Sequence, residues 1–174
     1  MSETDLKSKG LHHLAFTTRD VEATYEFYAK QLGMRLLHTE TTKFGRGYFR
    51  HFFFAMGAGQ SIAFFQVENV GEKADYKTEI SSGLGLPPWA NHVAFKLETL
   101  DELTEMKAQM TTRGIENILQ VDHGWAQSIY TLDPNGIMVE FCVTTDAAAF
   151  EQSEEEALRL MRLPAAEILA QAPA

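Results

Sequence analysis

Two histidines in this chain open almost the same short phrase. His13 begins HLAF, and His92 begins HVAF within the segment NHVAF. A third residue, Glu140, lies in IMVEFCV near the end of a β-compatible run. Two neutral imidazoles and one carboxylate form a donor set that holds a divalent metal and leaves coordination positions open for substrate or dioxygen. That chemistry requires all three side chains at one place. The elements that carry them therefore decide whether it is available.

Those elements repeat. Residues 11–18 read as a strand, and Asp20 is suited to cap a helix with Val21, Tyr25, Tyr28 and Leu32 on one face. Gly33 closes it, and three strand-like runs follow at 35–43, 47–56 and within GAGQSIAFFQV. Residues 68–90 are polar and then rich in Gly and Pro, as a linker would be. The same order then returns. NHVAFKL is a strand, and Thr99 with Glu102 makes a capping box. A helix with Leu100, Leu103, Met106 and Met110 inward stops at Gly114. IENILQV, WAQSIYTL and IMVEFCV are strands, the last two joined by the Asp133-Pro134-Asn135-Gly136 turn.

The reading is an α+β chain of tandem βαβββ modules that form a curved mixed sheet around a metal-binding cleft, with a C-terminal helical tail. An N-terminal arm covers residues 1–10, the modules cover 11–67 and 91–145 around the 68–90 linker, and the tail covers 146–174.

Strand alternation then sorts faces. Leu14 and Phe16, Val93 and Phe95, and Val139 and Phe141 are expected beneath the helices. His13, His92 and Glu140 are then expected on the opposite, concave face. Superposing QSIAFFQV on GIMVEFCV puts Phe64 opposite Glu140, where it would leave the metal without a fourth ligand. Tyr48, Phe52, Phe54, Phe64 and Trp125 are candidates for an apolar pocket wall. His51 faces either pocket or solvent, while His12 and His38 are read as exposed. Tail residues Phe150, Ala157, Leu158 and Met161 have helical spacing, broken at Pro164.

Composition limits the partners. The formal net charge is −9 over 174 residues, which argues against nucleic acid and anionic membrane surfaces. Cys142 is the single cysteine, so no disulfide within the chain and no thiolate cluster can form. The polar start MSETDLKSKG has no signal-peptide core, and no apolar run reaches membrane-spanning length. A soluble, cytoplasmic protein is expected.

The phrases HLAF, NHVAF and SIYTLDPNGIMVEF carry a resemblance to the vicinal oxygen chelate superfamily. Its members include glyoxalase I, extradiol dioxygenases, fosfomycin-resistance enzymes and bleomycin-binding proteins. The resemblance implies that His13, His92 and Glu140 are metal ligands. It also implies that Tyr130, in an S-x-Y segment upstream of Glu140, is a catalytic group beside the metal, with His123 near an acid–base position. His51, Phe64 and Trp125 would then contact substrate.

The implied function is an extradiol-type dioxygenase for a catechol-like aromatic diol, using Fe(II) in preference to Mn, Ni or Zn and assembling as a homodimer. Two alternatives share the fold. One is a glyoxalase-like lyase/isomerase or epoxide-opening transferase with a Lewis-acid metal, and the other is a non-catalytic binding protein.

Overall fold

The computed structural model of the chain describes residue 8 and residues 10–170. The first module runs β1 (His13–Thr17), α1 (Val21–Tyr25), β2 (Leu36–Phe44), β3 (Gly47–Gly57) and β4 (Gln60–Glu68). The second runs β5 (His92–Lys96), α2 (Leu100–Thr112), β6 (Leu119–Asp122), β7 (Ala126–Leu132) and β8 (Met138–Thr144). The tail carries α3 (Ala147–Phe150), α4 (Glu154–Met161) and α5 (Ala165–Leu169). This is the α+β, twofold βαβββ architecture that the repeated phrases imply. Of the expected N-terminal arm, residues 1–7 and 9 lie outside the described residues, as do 171–174 of the tail.

Each module builds its own four-stranded mixed sheet, ordered β1-β4-β3-β2 in the first and β5-β8-β7-β6 in the second. The β1–β4 and β5–β8 pairs are parallel, and the other pairs are antiparallel. Local chemistry sets the boundaries. Asp20 caps α1 by accepting from Ala23 N at 2.9 Å. Thr99 and Glu102 form the expected reciprocal capping box on α2. Gly47 permits the close approach of β3 to β4, since a Cβ there would run into the Glu68 carbonyl oxygen.

Both modules contribute to one core. Phe27 and Tyr28, on the π-helical extension of α1 (Glu26–Gln31), pack with Phe52, Phe54 and Phe64 of the first sheet. Val93, Phe95, Ile129, Val139 and Phe141 of the second sheet join the same cluster, with Leu103 and Met110 of α2. A buried polar network crosses between the modules. Tyr28 donates to Asp133 Oδ2 at 3.1 Å, and Asn135 Nδ2 donates to Thr24 Oγ1 at 3.3 Å. The sheets thus turn their helix-side faces inward together, and their opposite faces point away from the shared core.

Some expectations are corrected. Leu100, expected inward on α2, is 43% exposed because it occupies the first turn, clear of the sheet. Pro164 does more than break the tail helix: it stands at the N-cap of α5. Residues 68–90 contain two short 3₁₀ turns, Ser82–Leu84 and Pro88–Ala90. They are anchored by Tyr76 donating to Thr18 O at 2.8 Å and by Ser81 Oγ accepting from Asn91 N at 2.9 Å. Among the described residues no helix is long and apolar enough to cross a membrane.

Candidate metal centre

Glu140 sits on β8, at the centre of the second sheet, between β5 and β7. Tyr130 is its direct partner across β7, and Ser128 pairs with Cys142 two residues on. Alternation puts Ser128, Tyr130, Met138, Glu140 and His92 on one face, turned away from the core. Glu140 is only 5% exposed. Its Oε1 accepts from Ser128 Oγ at 2.5 Å and from Tyr130 OH at 2.9 Å. Its Oε2 lies 3.0 Å from His92 Nε2, its sole ion-pair partner among the described residues.

The orientation of His92 is set by the 3₁₀ turn before β5. That turn presents the Trp89 carbonyl, which takes the Nδ1 proton at 2.9 Å. In the neutral ring the Nε2 lone pair is then left toward Glu140 Oε2. A bare imidazole nitrogen and a carboxylate oxygen at this separation repel unless a proton or a cation lies between them. Donors bound about 2.0–2.2 Å from one metal at right angles stand about 3 Å apart. The pair therefore fits a divalent cation, and a cation would also offset the desolvation of a carboxylate that has no Lys or Arg partner among the described residues. Ser128 and Tyr130, on the other carboxylate oxygen, are the outer partners that orient such a ligand.

Tyr130 and His123 form a chain with Glu140. The Tyr130 phenol donates to Glu140, so its oxygen accepts from His123 Nε2–H at 2.8 Å. Burial above all, with the Glu140 hydrogen bond adding to it, pushes the Tyr130 pKa up to about 12, so the phenol keeps its proton. Beside this chain is a largely apolar pocket of about 300 Å³, walled by Trp89, Leu119, Val121 and Met138. Cys142, next to Ser128 on the same face, has its thiol pKa raised by burial.

His13 stands elsewhere. It lies on the outward face of the first sheet, its ring 5.5 Å from Phe53 and 6.1 Å from His51, with Nδ1 2.8 Å from His12 Nδ1. Among the described residues no three His, Cys, Asp or Glu side chains converge as a metal-ligand set. The structure thus brings His92 and Glu140 together and leaves His13 apart within the protomer, because each histidine belongs to its own sheet.

His51 faces the same way as His13 and is 7% exposed, stacked on Phe65 at 3.6 Å. Its Nδ1 meets Glu40 Oε1 at 3.2 Å, and its buried Nε2 has no hydrogen-bond partner. Burial lowers its pKa, opposed by Glu40, so the ring is held toward neutrality.

Phe64 is the clear correction. It is fully buried on the helix side, 4.9 Å from Tyr28 and 5.9 Å from Phe52. The register explains it: Ala63 pairs with Ala15 as Glu140 pairs with Ala94, so the superposition behind the Phe64 expectation is one residue out. Phe52 and Phe54 are likewise core residues rather than pocket wall, while Tyr48 is partly exposed on β3. Gln66 is engaged by the Arg50 guanidinium. Trp125 is stacked on His123 at 5.9 Å and tilted against Phe150 at 4.6 Å. Five contributors, Ser128 and the pocket residues Trp89, Leu119, Val121 and Met138, have no assignment from the sequence. Ser128 is recoverable from its alternation with Tyr130, whereas the Trp89 carbonyl that orients His92 leaves no residue-type signal.

Residues 10–141 match the sequence model described as Glyoxalase/Bleomycin resistance protein/Dioxygenase superfamily. The chain is 36% identical over 63 residues to biphenyl-2,3-diol 1,2-dioxygenase 3 of Rhodococcus globerulus, a match covering 36% of this chain and 33% of that enzyme. The aligned stretch thus spans only a third of the curated relative. Among solved structures, a glyoxalase/bleomycin resistance protein/dioxygenase from Nocardioides superposes with a TM-score of 0.56 at 23% identity, covering 84% of this chain and 91% of that one. Lactoylglutathione lyase from Agrobacterium tumefaciens superposes at 0.53 with 17% identity, covering 78% and 94%. At these identities the structural likenesses establish the fold.

Proposed function

The chain belongs to the Glyoxalase/Bleomycin resistance protein/Dioxygenase superfamily, and from that membership we propose that it is a metal-dependent dioxygenase of extradiol type acting on a catechol-like aromatic diol. The observation that carries the reading is the His92–Glu140 pair. One carboxylate oxygen is saturated by two hydroxyls, and the other faces a histidine nitrogen at 3.0 Å beside an apolar pocket. Fe(II) is the favoured metal over Mn, Ni or Zn, since two histidines and one carboxylate with open positions make the donor set of non-haem iron oxygenases. Bound there, the metal would supply the site at which the diol oxygens and dioxygen meet.

His13 would complete that donor set from a second copy of the chain. Within one protomer the helix-side faces of the sheets share a core, so the faces bearing His13 and His92–Glu140 both point outward. A homodimer can lay the first sheet of one copy beside the second sheet of the other, which assembles the three donors twice.

The remaining side chains have separable tasks. Trp89, Leu119, Val121 and Met138 would receive the apolar ring of the substrate. Tyr130, its pKa raised to about 12 and its oxygen linked to His123, would hold a proton next to the reacting oxygens. His51, on the same face as His13, would border the substrate rather than bond it, since its free Nε2 is buried. Ala63 offers no donor where a fourth ligand would stand, which favours open coordination over a closed Lewis-acid shell. The likeness to a biphenyl-diol dioxygenase supports a diol as substrate.

The test is oxygen uptake by Fe(II)-reconstituted protein with simple and substituted catechols, alongside metal analysis. Uptake stoichiometric with loss of the diol is expected. No uptake with any diol, together with turnover of a hemithioacetal or an epoxide, would overturn the dioxygenase reading.

A further inference from the structure

A train of aromatic contacts leads from Glu140 into the tail. The turn between β6 and β7 is tight: Gly124 N donates to Asp122 Oδ1 at 2.7 Å, and His123 N donates to Ala126 O at 2.8 Å. It sets the rings of His123 and Trp125 nearly parallel, 28° apart in plane. Phe150, the last residue of α3, packs on Trp125 at 35°. The backbone clasps the same place, since Thr145 N and Asp146 N both donate to Trp125 O, at 2.8 and 3.0 Å. Asp146 then caps α3 through Ala149 N at 3.0 Å, which fixes the direction in which Phe150 leaves the helix. Phe150 lies beyond the residues matched by the superfamily pattern, which end at 141. The Phe150 side of the clasp therefore lies outside the matched residues.

The hydrogen bonds show why the clasp matters. Tyr130 spends its one proton on Glu140, so the contact with His123 requires a proton on His123 Nε2, which in the neutral ring leaves Nδ1 bare. Among the described residues that contact is the single hydrogen bond of the His123 side chain. A partly exposed imidazole held by one bond can turn over or exchange tautomers. The ring stacked beside it is Trp125, against which Phe150 packs in turn.

We propose that Trp125 and Phe150 are positioning residues, through which the C-terminal segment holds His123 in the Nε2–H tautomer that keeps the Tyr130 phenol on Glu140. The consequence for catalysis rests on the metal-centre reading, but the tautomer lock does not. Residues after β8 thereby act on the reacting end of the molecule without touching substrate.

The experiment is ¹⁵N spectroscopy of histidine-labelled full chain, metal-free and after addition of Zn(II), on the wild type, Phe150→Ala, Trp125→Leu and Phe150→Leu. Tyr130→Phe identifies the His123 signals, because it removes their partner while leaving the clasp intact. The wild type should give His123 as a single Nε2–H tautomer. Phe150→Ala and Trp125→Leu should lose that signature to an averaged pair of tautomers. Phe150→Leu, which retains an apolar cover, should restore it. Zn(II) affinity in the Phe150 variants should fall no further than in Tyr130→Phe, since no donor to the metal is altered. A His123 that stays a single Nε2–H tautomer in both Phe150→Ala and Trp125→Leu, even with a lowered melting temperature, would overturn the proposal. Failure of the wild type to bind any divalent metal would instead count against the metal-centre reading. The metal-free spectra would still decide the tautomer lock.

Discussion

Ala63 on β4 holds the register position that Glu140 holds on β8: Ala63 lies opposite Ala15, two residues past His13, and Glu140 lies opposite Ala94, two residues past His92. The same correspondence puts Phe53 where the second module has Tyr130 and His51 where it has Ser128. The duplicated frame is therefore loaded unequally. The second module carries the carboxylate and its two hydroxyl partners, and the first carries a histidine above an aromatic floor.

This asymmetry predicts which substitutions matter to a metal. Glu140→Gln and His92→Ala should each weaken Zn(II) binding by more than the roughly 10–100-fold expected from loss of an outer partner, the range in which Tyr130→Phe and Ser128→Ala should fall. Without metal, Glu140→Gln should melt no lower than the wild type, because it removes a buried charge that has no Lys or Arg partner among the described residues. Isothermal titration and thermal melting read the two effects separately. Equal affinity in Glu140→Gln and the wild type would dismiss the centre.

Phe64 should behave as a core residue with no bearing on the metal. Phe64→Ala removes a ring packed on Tyr28, Phe52 and Phe54 and should cost about 3–5 kcal/mol. Phe64→Glu would bury an unpaired carboxylate and abolish folding. Urea unfolding measures the first and circular dichroism the second. A folded Phe64→Glu with altered metal affinity would mean that Phe64, not Ala63, shares the face of His13, and that the β1–β4 register is wrong.

Phe64 also shows what a sequence can carry. Repetition of HLAF and HVAF makes the doubled βαβββ order legible, and alternation alone is enough to put His92, Tyr130 and Glu140 on one face. Alternation is unforgiving of a one-residue slip, however, which moves every side chain to the other face. β4 is Phe-Phe at residues 64 and 65, so both phases look apolar and composition cannot choose between them. Convergence of His13 with His92 and Glu140 is a further step, resting on how two sheets meet. That is decided by the shared core and by the Tyr28–Asp133 bond, between residues far apart in sequence, neither of which has a local signature.

The Tyr28–Asp133 bond itself should make stability depend on pH. Asp133 accepts from Asn135 N and Ile137 N at 2.8 Å each, as well as from Tyr28, yet burial outweighs these donors and raises its pKa. A carboxyl with a raised folded pKa binds its proton more tightly when folded. Its stabilising contribution is present below the unfolded value, about 4, and is lost as pH rises through the folded value. Asp133→Asn should remove that downward slope, so the wild-type-minus-variant difference in urea stability should shrink as pH rises from about 4. Tyr28→Phe should cost about 1–2 kcal/mol by taking one donor away. A difference that grows with pH would contradict the assignment.

The decisive prediction concerns which copy supplies His13. Suppose the three donors meet only between copies. Then His13→Ala and Glu140→Ala homodimers should each lack a complete site. Mixing the two variants under conditions that exchange subunits creates heterodimers in which one site draws an intact His13 from the Glu140→Ala chain and an intact His92–Glu140 pair from the His13→Ala chain. The other site of that heterodimer lacks both. At equal mixing about half of the dimers are hetero, so about a quarter of the wild-type number of sites should return, with tight metal binding and oxygen uptake in the same proportion. A site built within one chain allows no such rescue, because every chain in the mixture carries one defect. Metal titration of the mixture against the two parents, with size-exclusion chromatography to show the dimer, separates the cases. No recovery in a mixture proven to contain heterodimers would place His13 outside the metal centre and leave His92 and Glu140 to find their third ligand elsewhere.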